Sequence, residues 1–269
     1  MKTTKFLSFL FVLAISLGFV SCSDDDDDTN PKNPATVKLP VKYEAEDDTF
    51  GLYYTYDNNT NHVIKMVGKY DDGDEATTEI TYYANGQISQ IKTVEKDFES
   101  GEEYNEEYSF TYEGNKITAT RKDSEQTDNV IELNDKGEVV SIKGWDGQYH
   151  EFKFTYDSKA NITSVEDYYR DILSYKETYT YDDKNGWNKN VNLPEWAGYY
   201  APMNMFVVSK VNNHLTIKEE GYSNGQVSNS GTTTITCKYD SEGYPVEMEQ
   251  TREGKVTKIK ITYEEKAVK

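Results

Sequence analysis

The chain has 269 residues, with 29 lysines and arginines against 48 aspartates and glutamates, and a formal net charge of −19. So acidic a balance excludes nucleic acid as a partner, because such binding rests on cations that neutralise phosphates, and it disfavours direct adhesion to anionic membrane surfaces. Hydrophobic residues make up 36% and include 23 tyrosines, so the core is thin and tyrosine-built, which suits a sheet with one packed face.

Lys2 and Lys5 precede an uncharged, mostly apolar run from Phe6 to Val20. A basic start and about 15 such residues fit a secretory signal and fall short of the ~20 needed to span a bilayer. The run ends at Gly18-Phe19-Val20-Ser21-Cys22, which resembles the lipobox of bacterial lipoproteins, although Phe19 stands where leucine is usual. That resemblance makes residues 1–21 a signal peptide and Cys22 the lipidated first residue, holding the chain on the outer membrane. Asp24 to Asp28 follow Ser23; five like charges repel one another, so residues 22–38 are expected to be a solvated tether. An acidic run directly after the lipid cysteine resembles the surface-export signal of Bacteroidetes lipoproteins; a plain spacer is the simpler alternative. Cys237 is the remaining thiol, so no disulfide framework is available. It shares a strand face with Ile235 and Tyr239 and reads as a small core hydrophobe.

Residues 39–269 carry one repeated pattern. Thr-Tyr recurs as Thr55-Tyr56, Thr81-Tyr82, Thr111-Tyr112, Thr155-Tyr156, Thr180-Tyr181 and Thr262-Tyr263. An alternating stretch precedes most copies, as in Phe152-Lys153-Phe154-Thr155-Tyr156. A turn rich in Asp, Asn and Gly follows, and then a branched aliphatic opens the next stretch. Tyr82 to Ile88, Leu133 to Val139 and Tyr156 to Ile162 are six residues, whereas Tyr112 to Ile117 is five. This period-2 pattern predicts an all-β, up-and-down antiparallel meander of repeated hairpins, curled or barrel-like, with roughly 14–18 strands. Tyr, Phe and Ile share one face; Thr, Lys and Glu share the other. No helical segment is expected beyond the leader.

Blocks such as Tyr156-Asp157-Ser158-Lys159-Ala160-Asn161-Ile162 resemble the YD repeats of Rhs-type surface proteins. Nearly the whole mature chain is similar to a Bacteroidetes lipoprotein family of unknown function with a porin-like, barrel-shaped fold. The resemblance implies a fold and an outer-membrane location and brings no catalytic residues with it.

The pattern breaks between Gly186 and Phe206, a segment with two of the three tryptophans and two of the six prolines. Long irregular segments in compact domains tend to be functional or to plug a core. One reading lays the 187–206 insertion over the apolar face. The other makes Trp187, Trp196, Tyr199 and Tyr200 an aromatic platform for a sugar, whose C–H faces pack on rings while its hydroxyls find amide and carboxylate partners.

His62, His150 and His214 stand alone without metal-ligand spacing, and Asp71-Asp72-Gly73-Asp74-Glu75 lacks the spacing of a calcium loop. No nucleotide, nucleophile-elbow or β-lactamase motif is present, and no cofactor is expected. The sequence is therefore read as a non-catalytic, lipid-anchored surface module that binds a glycan, a small ligand or a protein. An accessory subunit of an outer-membrane complex and a hydrolase using an acid pair on the sheet are the other two readings.

Overall fold

The alternation builds sixteen antiparallel strands, and the first pairs with the last to close a barrel. The computed structural model describes residues 36–267 apart from 48, 71–72, 98, 123–127, 145–148 and 202–209. The leader, Cys22, Asp24 to Asp28, Asp71, Asp72 and the 202–206 end of the insertion lie outside the described residues.

The first four strands are β1 (Thr36–Ala45), β2 (Phe50–Tyr56), β3 (Val63–Tyr70) and β4 (Glu75–Tyr82). Next come β5 (Ile88–Lys96), β6 (Glu103–Glu113), β7 (Lys116–Arg121) and β8 (Asn129–Leu133). They are followed by β9 (Val139–Gly144), β10 (His150–Tyr156), β11 (Ile162–Tyr169) and β12 (Ile172–Tyr181). The last four are β13 (His214–Ser223), β14 (Gln226–Tyr239), β15 (Pro245–Arg252) and β16 (Lys255–Ala267). Each strand pairs with its sequence neighbours, and β1 pairs with β16 from Thr36↔Ala267 to Ala45↔Ile259. Thr36, Val37 and Lys38, expected in the tether, therefore belong to the barrel, because their pairing with β16 closes it. A 3-10 helix at Glu195–Tyr200, inside the insertion, corrects the expectation of no helix.

Period 2 decides what faces where. In β4, Ala76, Thr78 and Ile80 are buried and point into the lumen, while Glu75, Thr77, Glu79 and Thr81 alternate with them on the outer wall. The same parity gives an outer wall laced with ion pairs, among them Lys176–Glu166 and Lys218–Glu220 at 2.7 Å and Lys143–Glu132 at 3.3 Å. A membrane-spanning barrel needs the opposite arrangement, an outward apolar band about 25 Å tall around a polar interior. This wall is built to face water.

The repeated Thr-Tyr has a structural explanation. The tyrosine lies toward the C-terminal end of an even-numbered strand, and its hydroxyl donates to a carbonyl at the start of the odd-numbered strand before it. Tyr82 bonds Val63 O at 2.7 Å, Tyr112 bonds Ile88 O at 2.9 Å and Tyr156 bonds Val139 O at 2.9 Å. Tyr181 reaches Ile162 O at 2.5 Å and Tyr263 reaches Pro245 O at 2.9 Å. Tyr56 makes the corresponding bond to Pro40 O at 2.6 Å, inside β1. The aspartate after the tyrosine caps the turn: Asp57 Oδ1 accepts the Asn59 and Thr60 N–H groups, and Asp157 Oδ1 accepts those of Lys159 and Asn161. Such Asx turns let a side chain replace a missing backbone partner. The six-residue spacing marks a β-bulge, with Tyr82 opposite Ile88 after a register shift. The five-residue spacing marks its absence, with Tyr112 opposite Ile117 in an unshifted ladder.

These clasps all lie at one end, the lower rim, where β1 begins and β16 ends. The upper rim carries the β1–β2, β9–β10, β11–β12, β13–β14 and β15–β16 connections, among others. Removing one clasp donor should be measurable: Tyr82→Phe is expected to lower unfolding free energy in urea by about 1 kcal/mol, the typical net worth of a buried hydrogen bond.

Candidate functional site

The excursion between β12 and β13 turns inward. Its two ends are stapled together: Asp182 Oδ1 accepts Asn213 N–H at 3.0 Å, and its Oδ2 accepts the Asn213 amide at 3.1 Å. Asn213 Oδ1 in turn accepts Trp187 N–H at 2.9 Å. Gly186 sits where a Cβ would lie 2.3 Å from Lys210 O, so only glycine allows the two ends to meet.

From that staple the rings run through the lumen. Trp187 stands 4.9 Å from Tyr43 of β1, and Trp196 stands 4.9 Å from Phe110 of β6. Tyr199 lies 5.0 Å from Phe152 of β10, and Tyr200 lies 4.8 Å from Tyr108 of β6. Trp187, Trp196, Tyr199 and Tyr200 are 5%, 4%, 8% and 3% exposed. A stacking platform needs an open ring face, and these four have none. They are core, and the expectation of a ligand platform there is corrected to a plug. The plug carries polar atoms in with it. Glu195 lies beside Tyr156, whose hydroxyl donates to Oε2 at 3.3 Å, and burial raises the Glu195 carboxyl while pulling Lys210 down to about 8.

His62 and His214 are bound into the fold. His62 stacks on Tyr82 at 4.4 Å. His214 stacks on Tyr179 at 4.8 Å, its Nε2 lies 2.9 Å from the Tyr181 hydroxyl, and burial pushes it down to about 4. Cys237 is half-buried against the core, and burial raises its thiol. Among the described residues no three His, Cys, Asp or Glu side chains converge as a metal site would require.

The structure does bring two carboxylates together. Glu177 and Glu219 are register partners with the lumenal parity of Tyr179 and Ile217. Tyr175 donates to Glu177 Oε1 at 3.1 Å, Tyr179 also bonds Glu177, and Arg252 Nη2 meets Glu219 Oε2 at 2.5 Å. Like charges directly opposite on a sheet destabilise it, and here each has its own donor. Gly231, opposite Glu219, leaves the gap that Arg252 crosses: a Cβ there would lie 3.2 Å from Nη2.

Sequence reasoning missed the upper rim. A cleft of 490 Å³ opens there, at the end of β8 to β11, lined by Asp128, Lys143, Tyr149, His150, Glu151 and Arg170, with Val130, Gly144, Tyr168 and Asp171 completing it. Tyr149 and the adjacent Tyr169 are 47% and 38% exposed. The Arg170 guanidinium lies over both rings, 4.6 Å from the first centroid and 5.2 Å from the second. His150 Nδ1 is 2.8 Å from Asp167 Oδ1. Arg170 and Asp171 form the two-residue β11–β12 turn, both left-handed, with φ of 50° and 64°. Two other upper-rim turns put glycine second, in Asn224-Gly225 and Glu253-Gly254. Arg-Asp in that place is the one signal by which the site could have been found.

No protein-family model matches the chain, and no curated protein matches it. Among solved structures it is similar to a porin-like protein from Bacteroides uniformis, at 12% identity and a TM-score of 0.42, over 84% of this chain and 96% of that one. A porin-like protein from Bacteroides vulgatus is similar at 14% identity and a TM-score of 0.42, over 84% and 99%.

Two measurements check the plug. Trp196→Ala should lower unfolding free energy by about 3–5 kcal/mol, as truncation of a buried aromatic does. His214 is harder to protonate folded than unfolded, so its contribution is full above pH 6.5 and fades as pH falls toward about 4. A urea-midpoint series between pH 6.5 and 5 should show falling stability, and His214→Phe, which keeps the stack, should flatten that slope.

Proposed function

We propose that the protein is a lipid-anchored outer-membrane lipoprotein, exposed on the cell surface, whose upper rim binds a saccharide without transforming it. The anchor rests on Lys2, Lys5, the Phe6 to Val20 run and Cys22, and the surface export on Asp24 to Asp28. The polar outer wall supports a barrel that stands in water beside the membrane rather than through it.

The observation that carries the binding role is the 490 Å³ cleft, of ordinary ligand-pocket size, where the exposed Tyr149 and the half-buried Tyr168 stand among carboxylates, a histidine and an arginine, with the exposed Tyr169 adjacent. Ring faces take sugar C–H surfaces, and Asp128, Glu151 and Asp171 offer acceptors for hydroxyls. Thr36 starts β1 at the opposite, lower rim, so the cleft and the start of β1 lie at opposite ends of the barrel. A protein partner at the same rim is the second reading. It is favoured by Tyr104, Ile172, Val227 and Val256, exposed apolar side chains at upper-rim strand starts.

Binding is tested by titrating the full chain with neutral and acidic oligosaccharides. Tyr149→Ala with Tyr169→Ala should abolish saturable binding while leaving the melting temperature within a few degrees; unchanged affinity would remove the cleft from consideration. Location is tested separately. Cys22→Ala should release the protein from membranes, and alanines at Asp24 to Asp28 should leave it anchored but shielded from protease on intact cells.

A further inference from the structure

We propose that the upper-rim cleft takes an acidic saccharide and that Arg170 holds the sugar's carboxylate; this rests on the saccharide-binding reading above and names the class of sugar.

The chain has three arginines, Arg121, Arg170 and Arg252. Arg121 Nη2 meets Glu106 Oε1 at 2.7 Å, and Arg252 Nη2 meets Glu219 Oε2 at 2.5 Å. Arg170, among the described residues of a chain with 48 acidic side chains, has no carboxylate on its guanidinium. Acids are at hand, since Asp128, Glu151 and Asp171 line the same cleft. Glu151 is taken up by Lys143 at 3.6 Å and Lys153 at 3.4 Å, and Asp167 by His150. The guanidinium is thus the cleft's uncommitted cation.

It is also held in place. Two tyrosine faces support it, and Arg170 N–H donates to Tyr149 O at 2.8 Å, tying the turn to the β9–β10 connection. A left-handed Arg-Asp turn carries strain that Asn-Gly or Gly-containing turns avoid. The N–H groups of a guanidinium form the planar two-pronged fork that matches a carboxylate. A lysine offers neither the fork nor the flat face. The net acidity of the chain does not forbid this ligand, because charges beyond about 8 Å are screened at physiological salt.

The test titrates the full chain with hexagalacturonate and with its methyl-esterified, uncharged counterpart, with maltohexaose as a neutral sugar. The acid form should bind and the ester should bind at least tenfold more weakly. Arg170→Gly, in which glycine adopts the left-handed turn freely, should melt no lower than the parent and lose at least tenfold in affinity for the acid. Arg170→Lys, which keeps the charge, should lose a similar amount. Equal binding of acid and ester, or full affinity in Arg170→Gly, would overturn the carboxylate role while leaving the saccharide module standing. Failure of all three sugars to bind would overturn the saccharide reading itself, and this inference with it.

Discussion

Sixteen strands enclose more lumen than their inward side chains fill. Barrels of about eight strands close on their own interiors, whereas sixteen in a membrane pore leave a water channel. Here the inward face is mostly apolar, so an unfilled lumen would leave Phe110, Ile131 and Ile142 facing water or a void. The 182–213 excursion resolves this by bringing Trp187, Trp196, Tyr199 and Tyr200 into contact with β1, β6 and β10. The rest of the structure depends on that filling, since closure without it would enclose a cavity whose lining loses both burial and dispersion contacts.

The two rims divide the remaining work. At the lower rim, tyrosine hydroxyls and Asx turns occupy strand-end carbonyls and N–H groups that would otherwise need water. Asp182 and Asn213 extend the same chemistry to the base of the plug. At the upper rim Tyr149 and Tyr169 are exposed, Arg170 meets no carboxylate among the described residues, and the β11–β12 turn sets left-handed Arg and Asp where the β13–β14 and β15–β16 turns have Asn-Gly and Glu-Gly.

Much of the fold was legible because a strand's period of two is written directly in residue order. The Thr-Tyr copies marked where strands run into turns, and the six- and five-residue spacings, given no meaning in the sequence reading, turn out to separate the bulged hairpins from the unbulged one. The insertion stood out by its broken alternation, yet its role did not, because Trp and Tyr have the same letters in a core as on a platform. The cleft left one faint trace, Arg-Asp in a turn of left-handed residues, because the exposure of Tyr149 and Tyr169 is not written in residue order.

The sequence by itself determined the meander, its parity and the turn chemistry, all of which rest on neighbours within about ten residues. Tertiary structure alone decided that β1 meets β16, that the four insertion rings are buried, and that Lys143, Tyr149 and Arg170 share a cleft. Those outcomes depend on which distant segments close the sheet and on the volume that closure leaves to be filled, and local pattern encodes neither.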